Sequence, residues 1–160
     1  MIDDIKITNL KELEDNDSFK HINEYNNFEY FKGIVVNGYE GNKSHISFMK
    51  IPPGKYAYPY HYHMGNEETF YIISGNAIVK TPKGEKTLKV GDMIFFPANK
   101  RGAHKIYNSS ATEDLIYIDF DTYNDPNICF YPDSNKIGIY GKEGDFIFKL
   151  EDDKDYYDGE

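Results

Sequence analysis

The chain has 160 residues, a length that suits one domain and allows a sizeable core without disulfides or other cross-links. Its only cysteine, Cys129, cannot form an internal disulfide. The formal net charge of −9 comes from the two ends, because residues 1–17 sum to −4, residues 151–160 sum to −5, and the charges of residues 18–150 cancel. Nucleic-acid binding usually shows as a basic face or stripe, so it is not expected here.

The charge distribution divides the chain into three parts. An acidic N-terminal segment (residues 1–20) precedes a β-barrel domain (21–150), and an acidic tail (151–160) follows it. No signal-peptide pattern appears near the first residues, and no apolar run approaches the roughly 18 residues of a membrane span. We expect a cytoplasmic protein with no membrane partner that acts alone or as an oligomer of itself.

The local pattern along the chain is mostly that of short strands. Leu10–Phe19 is the only segment that predicts a helix. Two segments, Pro82-Lys83-Gly84 and Gly91-Asp92, predict hairpin turns. Eleven short, evenly spaced strands favour an all-β jelly roll of two sheets. They are predicted at Glu29–Val36, Lys43–Ile51, Tyr58–His63, Thr69–Ile73, Asn76–Lys80, Glu85–Lys89, Met93–Pro97, Ala103–Tyr107, Leu115–Phe120, Ile128–Tyr131 and Ile137–Tyr140.

His61 and His63 stand two positions apart inside one of these predicted strands. Alternate side chains of a strand share a face, so both rings would point the same way with their stems roughly 6.5 Å apart. On a helix the same spacing would turn the two rings away from each other. Together with Glu68, and with His104 further along the chain, they predict one metal site built on strands.

Glu67 and Glu68 are adjacent, so a strand puts them on opposite faces and only one of them joins the histidines. We favour Glu68, with Glu67 as the fallback ligand. The same alternation sorts the following residues into inward-facing Phe70 and Ile72 and outward-facing Tyr71 and Ile73. An apolar outer face is usually covered by another sheet or subunit, so a homodimer is expected.

These residues resemble the first sequence motif of the cupin family, Gly-x(5)-His-x-His-x(3,4)-Glu-x(6)-Gly. The stretch His61-x-His63-x(4)-Glu68-x(6)-Gly75 fits it without adjustment. Gly54 stands one residue further from the first histidine than the pattern has it.

The second cupin motif, Gly-x(5)-Pro-x-Gly-x(2)-His-x(3)-Asn, is matched by Gly91, Pro97, His104 and Asn108, with a loop (98–103) two residues longer than the pattern. The resemblance implies a double-stranded β-helix, the jelly-roll cupin barrel, over residues 21–150, with at most one short N-terminal helix. It also implies His61, His63, Glu68 and His104 as ligands of one metal. Four further segments resemble small single-domain bacterial cupins: Thr81–Glu85, Phe96–Ala98, Gly102–His104 and Tyr131–Ser134.

The ligand set restricts the metal. Imidazole with carboxylate suits Mn, Fe, Co, Ni, Cu or Zn and disfavours Ca or Mg. Four protein ligands would saturate a tetrahedral zinc, whereas an octahedral ion would keep two positions for water and substrate. We expect one divalent transition metal in the open octahedral form, with Mn or Fe favoured in the cell and Zn or Ni as replacements after purification.

Four residues near the histidines are candidates for substrate binding. Arg101, the only arginine, lies in the lengthened loop and would clamp a carboxylate or phosphate, or else remain a solvated cation. Asn108 would orient a ligand indirectly or satisfy the backbone at a strand end. Tyr58 and Tyr60 precede the histidines and would line a pocket or pack in the core.

No nucleophile elbow, phosphate loop or dinucleotide fingerprint appears, which leaves Lewis-acid or redox chemistry by a bound metal. Phosphosugar isomerase-like, decarboxylase-like and dioxygenase-like cupins share this ligand set. The expected function is therefore that of a small metalloenzyme acting on a sugar, sugar phosphate or organic acid, by isomerisation, decarboxylation or O₂ activation. The alternative is a non-catalytic cupin module that captures a small molecule.

Overall fold

The computed structural model describes residues 5–15 and 19–160, with only the backbone at residues 20 and 22–24. Within these residues the chain forms one α-helix and thirteen strands, joined by turns and short 3₁₀ segments. The elements are α1 (Leu10–Asp15), β1 (Lys20–Tyr25), β2 (Phe28–Val36), β3 (Ser44–Ile51), β4 (Tyr62–His63), β5 (Glu68–Ser74), β6 (Ala77–Thr81), β7 (Gly84–Leu88), β8 (Met93–Phe96), β9 (Lys105–Asn108), β10 (Leu115–Thr122), β11 (Asn127–Tyr131), β12 (Lys136–Gly141) and β13 (Gly144–Lys149).

The strands form three sheets. The largest has six strands in the order β1-β2-β3-β10-β5-β8. A four-stranded sheet, β13-β12-β11-β4, and a three-stranded sheet, β7-β6-β9, complete the architecture. All neighbouring strands are antiparallel. The fold is the all-β jelly roll that the sequence predicts, with one short helix near the N-terminus.

The core fills one end of the barrel between the six-stranded and three-stranded sheets. Met49 on β3 pairs with Tyr117 on β10, and both side chains are fully buried. Val79 on β6 and Ile106 on β9 belong to the same buried cluster, so the two sheets share one core. Burial at this scale contributes roughly 25 cal/mol for each Å² of apolar surface removed from water.

The inner face of the large sheet becomes polar toward the other end of the barrel. Two residues further along β10, Asp119 lies beside Ser47 of β3 and is 2% exposed. Two residues beyond that, Asp121 pairs with His45 of β3 on one side and with Glu68 of β5 on the other. The inward-facing side chains of β10 therefore change from apolar to polar along the strand, from the core toward the other end of the barrel.

The predicted sides of β5 are confirmed. Phe70 and Ile72 are buried at 1% and 0% exposure, whereas Tyr71 is 37% exposed and Ile73 is half-buried. Glycine is required just after this strand, because Gly75 has φ of 79° and an added Cβ would lie 2.7 Å from the carbonyl oxygen of Asp114.

Several element predictions need correction. The predicted helix Leu10–Phe19 is described as helical at Leu10–Asp15 and is not helical at Phe19, while residues 16–18 lie outside the described residues. The predicted strand Tyr58–His63 is regular only at Tyr62–His63, because Pro59 lacks the N–H that a ladder needs. Gly91-Asp92 is a turn but not a hairpin, since it joins β7 of one sheet to β8 of another.

Two strands were not predicted. β1 is rich in polar residues, and every side chain of β13 after Gly144 is exposed. Both lie at the edges of their sheets, where packing imposes no alternating pattern on the sequence. Among the described residues, no helix is long and apolar enough to cross a bilayer.

Candidate metal centre

Two of the three clustered histidines face each other across a backbone bridge. His61 and His104 exchange both main-chain hydrogen bonds, with N–O distances of 3.0 and 2.8 Å. Their ring centroids are 4.7 Å apart, and both residues are buried. The ring of His63 is 5.1 Å from that of His61, so the alternation inferred from the spacing brings the two rings to one side of the chain.

Glu68 joins the three histidines. Its Oε1 lies 3.3 Å from Nε2 of His63, and its Oε2 lies 3.3 Å from Nε2 of His104. One ligand atom each from His61, Glu68 and His104 lies within 4.8 Å of the others, a separation at which a single ion can be held. Glu67, the fallback ligand, is exposed, and its main-chain N–H donates to Oγ1 of Thr122. The structure thus brings His61, Glu68 and His104 within reach of one ion, places His63 against Glu68, and leaves Glu67 outside.

The Nδ1 atom of every histidine in this group has a partner of its own. Nδ1 of His61 lies 2.8 Å from the carbonyl oxygen of Pro59, and Nδ1 of His104 lies 2.9 Å from that of Gly102. Nδ1 of His63 lies 2.9 Å from Oδ1 of Asn127. A carbonyl or amide oxygen can only accept, so each Nδ1 carries a proton, and whenever the ring is neutral its Nε2 has the lone pair free. This is the tautomer that metal-ligating histidines need.

The residues present fit a transition metal. Nε2 of His63 is buried and makes no hydrogen bond among the described residues, although the Glu68 carboxylate is close. A buried polar atom without a partner is uncommon and calls for one. Three imidazole nitrogens with a carboxylate form a donor set suited to Mn, Fe, Co, Ni, Cu or Zn.

The lengthened loop, residues 98–103, positions two of the ligands. The N–H of Asn99 donates to the carbonyl oxygen of His63 at 2.7 Å, which docks the loop on β4. Gly102 supplies the carbonyl that orients His104. A side chain at Gly102 would overlap the carbonyl oxygen of Pro97, so only glycine allows this close approach.

The electrostatics of the metal-free group centre on Glu68. Burial alone would raise the pKa of its carboxyl, but His63 and His104 hold that pKa below its ordinary value. Burial alone would lower the pKa of His63, but the Glu68 carboxylate raises it well above 6.5. Burial and the neighbouring His104 lower the pKa of His61 to about 3, and burial also lowers that of His104. One carboxylate, one imidazolium and two neutral rings result.

Three of the four predicted ligands, His61, His63 and Glu68, form part of the wall of a cavity of about 310 Å³, and His104 lies behind them. His45, Asp119 and Asp121, which the sequence analysis did not select, line the same cavity. Nδ1 of His45 lies 3.5 Å from the N–H of Gly38, while its Nε2 makes no hydrogen bond among the described residues. The signal for the aspartates was their alternate spacing in an otherwise apolar strand, in phase with inward-facing Leu115 and Tyr117. His45 carried no comparable motif.

The four predicted substrate-binding residues occupy different places, and only some of them lie at the cavity. Tyr58 lines the cavity, and its ring meets that of His61 edge-on, with centroids 5.9 Å apart. Tyr60 lies outside the cavity wall and stacks under Nζ of Lys80, 4.2 Å from the ring centroid. Arg101 is exposed and its Nε donates to Oδ1 of Asn99 at 3.4 Å, so its side chain folds back onto its own loop.

Asn108 is fully buried and serves the backbone. Its Nδ2 donates to the carbonyl oxygens of Ile51 and Glu113, each at 2.8 Å, and its Oδ1 accepts from the N–H of Ser110. This is the strand-end alternative of the sequence analysis.

Fold and site together define a class: a jelly-roll domain with a candidate metal centre in the wall of an internal cavity. Residues 47–121 of the chain are a cupin domain. The family model described as Cupin domain matches residues 47–121, a range that contains both histidine motifs. No curated protein sequence matches the chain.

Solved structures share the fold. A candidate sugar phosphate isomerase from Acidithiobacillus ferrooxidans has 20% sequence identity and a TM-score of 0.79, covering 93% of this chain and 95% of that one. A sugar phosphate isomerase from Silicibacter pomeroyi has 17% identity and a TM-score of 0.73, covering 89% and 96%. A predicted oxalate decarboxylase from Thermotoga maritima has 24% identity and a TM-score of 0.57, covering 67% and 93%. At these identities the similarity establishes the fold.

Proposed function

We propose that this cupin is a metal-dependent enzyme that acts on a small oxygen-bearing substrate such as a sugar, a sugar derivative or an organic acid. The observation that carries the proposal is the histidine group itself. Three rings are held by oxygen acceptors at Nδ1, so that their Nε2 atoms are free beside one buried carboxylate. A purely structural cluster would not need an adjoining cavity of about 310 Å³.

The protein side chains would divide the work. His61, His63, Glu68 and His104 would hold one divalent ion, and Mn or Fe remains the favoured choice. When bound, such an ion supplies Lewis-acid polarisation of a carbonyl, or redox chemistry with O₂. The aromatic wall that includes Tyr58 would exclude water from the substrate.

Lewis-acid isomerisation or decarboxylation is favoured over O₂ activation. Asp119 and Asp121 face the cavity that the histidines line, so carboxylate oxygens are available to accept or return a substrate proton. O₂ activation would have no evident use for two such groups. Two of the similar solved structures, one named a sugar phosphate isomerase and the other a candidate one, support the same direction.

The test is a turnover assay on protein loaded separately with Mn²⁺, Fe²⁺ or Zn²⁺. Proton NMR would follow a panel of aldoses, ketoses, their phosphates and β-keto acids. We expect metal-dependent conversion of at least one compound and loss of both metal and conversion in Glu68→Gln. The exposed neighbour provides the matched control, because Glu67→Gln should keep both.

The alternative is a binding module without catalysis. The same cavity supports this alternative. The turnover assay distinguishes it from the enzyme, because a binding module loaded with metal would bind a ligand tightly and convert no member of the panel. That result would replace the enzyme proposal with the module.

A homodimer is the proposed assembly. Apolar side chains on the outer face of the large sheet remain exposed in the single chain: Tyr71 at 37%, Met93 at 65%, Phe95 at 55% and Phe120 at 37%. Adjacent strands β5, β8 and β10 carry them, so they form one patch. A contiguous apolar patch of this kind usually marks an interface.

A further inference from the structure

One wall of the cavity carries polar atoms that the fold leaves without partners. Oδ1 of Asp119, Oδ1 of Asp121, Nε2 of His45 and the hydroxyl of Tyr123 are buried, and none has a hydrogen-bond partner among the described residues. All four side chains line the same cavity as the histidine group. Buried polar groups are nearly always paired, so four unpaired ones at one wall indicate that the molecule filling the cavity supplies their partners.

The charges around the cavity restrict that molecule. Three carboxylates line it, those of Glu68, Asp119 and Asp121, and among the described residues Lys32 is the only lysine or arginine that does. Burial lowers the pKa of His45 to about 4, so its ring is neutral at pH 7 and adds no positive charge. A divalent ion would attract an anionic group at the histidine end, whereas Lys32 is the only lysine or arginine in the described wall that acts on the two aspartates, so the aspartate end has no surplus of positive charge for a second anion.

Three kinds of group can be compared at the aspartate wall. A phosphate only accepts hydrogen bonds at its charged oxygens and would lie against two carboxylates. An ammonium would pair with the aspartates, but because it only donates it could not serve the Nε2–H of His45 or the ammonium of Lys32, which line the same cavity. A hydroxyl both donates and accepts, so it can serve the aspartates, Nε2 of His45 and the Lys32 ammonium alike.

We propose that the cavity recognises a small polyhydroxylated molecule, such as a sugar or sugar acid, and selects against the same molecule phosphorylated at the end that meets Asp119 and Asp121. One end of the ligand would carry the oxygens that reach the metal, and the other end would carry free hydroxyls. The inference rests on the proposed function for the metal-bound end. A volume of about 310 Å³ lies at the small end of the range for ligand pockets, which suits a molecule of monosaccharide size.

The test compares three ligands that share a carboxylate and adjacent hydroxyl and differ at the opposite carbon: D-gluconate, 6-phospho-D-gluconate and 6-amino-6-deoxy-D-gluconate. Isothermal titration calorimetry on Zn²⁺-loaded protein at pH 7.5 would give the three dissociation constants. We expect D-gluconate to bind at least about tenfold more tightly than 6-phospho-D-gluconate, because like charges brought together in a pocket cost at least that much, and more tightly than the 6-amino derivative, because an ammonium cannot accept hydrogen bonds. Equal or tighter binding of the phosphorylated ligand, or no detectable binding of D-gluconate, would overturn the proposal.

Substitution of the two aspartates tests whether they cause the selectivity against the phosphorylated ligand. In Asp119→Asn/Asp121→Asn the shape is kept and the two charges are removed, so the disadvantage of the phosphorylated ligand should shrink by at least about tenfold. Asp133→Asn is the matched control, because Asp133 is exposed and pairs with Lys80. An unchanged ratio in the double variant would contradict the assignment, and circular dichroism would confirm that both variants are folded.

The readout separates this inference from the proposed function. The ratio of dissociation constants depends on binding and not on turnover. Selective binding of D-gluconate by a chain that converts no substrate would support the inference and contradict the enzyme. Turnover of a phosphorylated substrate in preference to its unphosphorylated counterpart would support the enzyme and contradict the inference.

Discussion

Asn127 offers the most direct way to perturb the histidine group without removing a ligand. The acceptors for Nδ1 of His61 and His104 are main-chain carbonyls, which substitution cannot delete, whereas His63 uses the side chain of Asn127 at 2.9 Å. In Asn127→Ala the ring loses the group that fixes its tautomer and orientation. We expect weaker metal binding with the fold intact.

The magnitude follows from the contacts of His63. A buried N–H left without its acceptor costs about 1–3 kcal/mol, and each 1.4 kcal/mol corresponds to about a factor of ten in affinity. Sγ of Cys129 lies 3.0 Å from the same Nδ1 and would replace part of the lost bond, although sulfur is a weak acceptor. We therefore expect about a tenfold loss of metal affinity in Asn127→Ala and about a hundredfold loss in Asn127→Ala/Cys129→Ala, within the range known for such supporting partners.

The assay is competition for Zn²⁺ or Mn²⁺ against a chromophoric chelator, with circular dichroism to verify folding. Asn127→Asp keeps an acceptor and should bind metal at least as tightly as the wild type. Asn42→Ala removes an exposed asparagine that donates to the carbonyl of Asn37, outside the cavity wall, and should change nothing. If folded Asn127→Ala binds metal within a factor of about two of the wild type, the reasoning about histidine orientation is wrong.

Three further predictions concern pH, the loop and assembly. Burial raises the pKa of Asp119 from 3.8 to about 6, so its contribution to stability is complete below pH 3.8 and is lost as the pH rises through about 6. Metal-free Asp119→Asn should therefore melt at a higher temperature than the wild type at pH 8 and no higher at pH 3.5, and an unchanged melting temperature at pH 8 would contradict this. Gly102→Ala forces the loop away from Pro97 and should weaken metal binding by at least about tenfold in the chelator assay, whereas wild-type affinity would show that the loop does not position its histidine. Light scattering of the wild type at micromolar concentration should give twice the 18.6 kDa mass of one chain, and Met93→Lys/Phe95→Glu should give the single-chain mass. A monomeric wild type would refute the dimer.

The sequence predicted those parts of the fold that depend on local alternation. β5 is the clearest case, because inward Phe70 and Ile72 and outward Tyr71 follow from the parity of Glu68 alone. The strands at the sheet edges were missed for the opposite reason. β13 buries no side chain, so nothing in its composition separates it from a loop.

The candidate site was predictable where spacing encodes geometry. His61 and His63 stand two positions apart in an extended stretch, and the glycine and proline frame of the second motif identified His104. The cavity wall that includes His45, Asp119 and Asp121 could not be derived in this way, because it depends on the register between β3, β10 and β5. Arg101 shows the converse limit: its position in the lengthened loop suggested a substrate clamp, yet its Nε donates to Oδ1 of Asn99 and the side chain lies against its own loop. Substrate binding by Arg101 remains a prediction.

The central claim, that His61, His63, Glu68 and His104 hold a metal, is tested most directly by metal content. Inductively coupled plasma mass spectrometry on freshly purified protein should find about one equivalent of a divalent transition metal per chain, with Mn or Fe favoured. The folded His61→Ala/His104→Ala variant should lose it. Equal, near-zero metal in the two samples would contradict the claim.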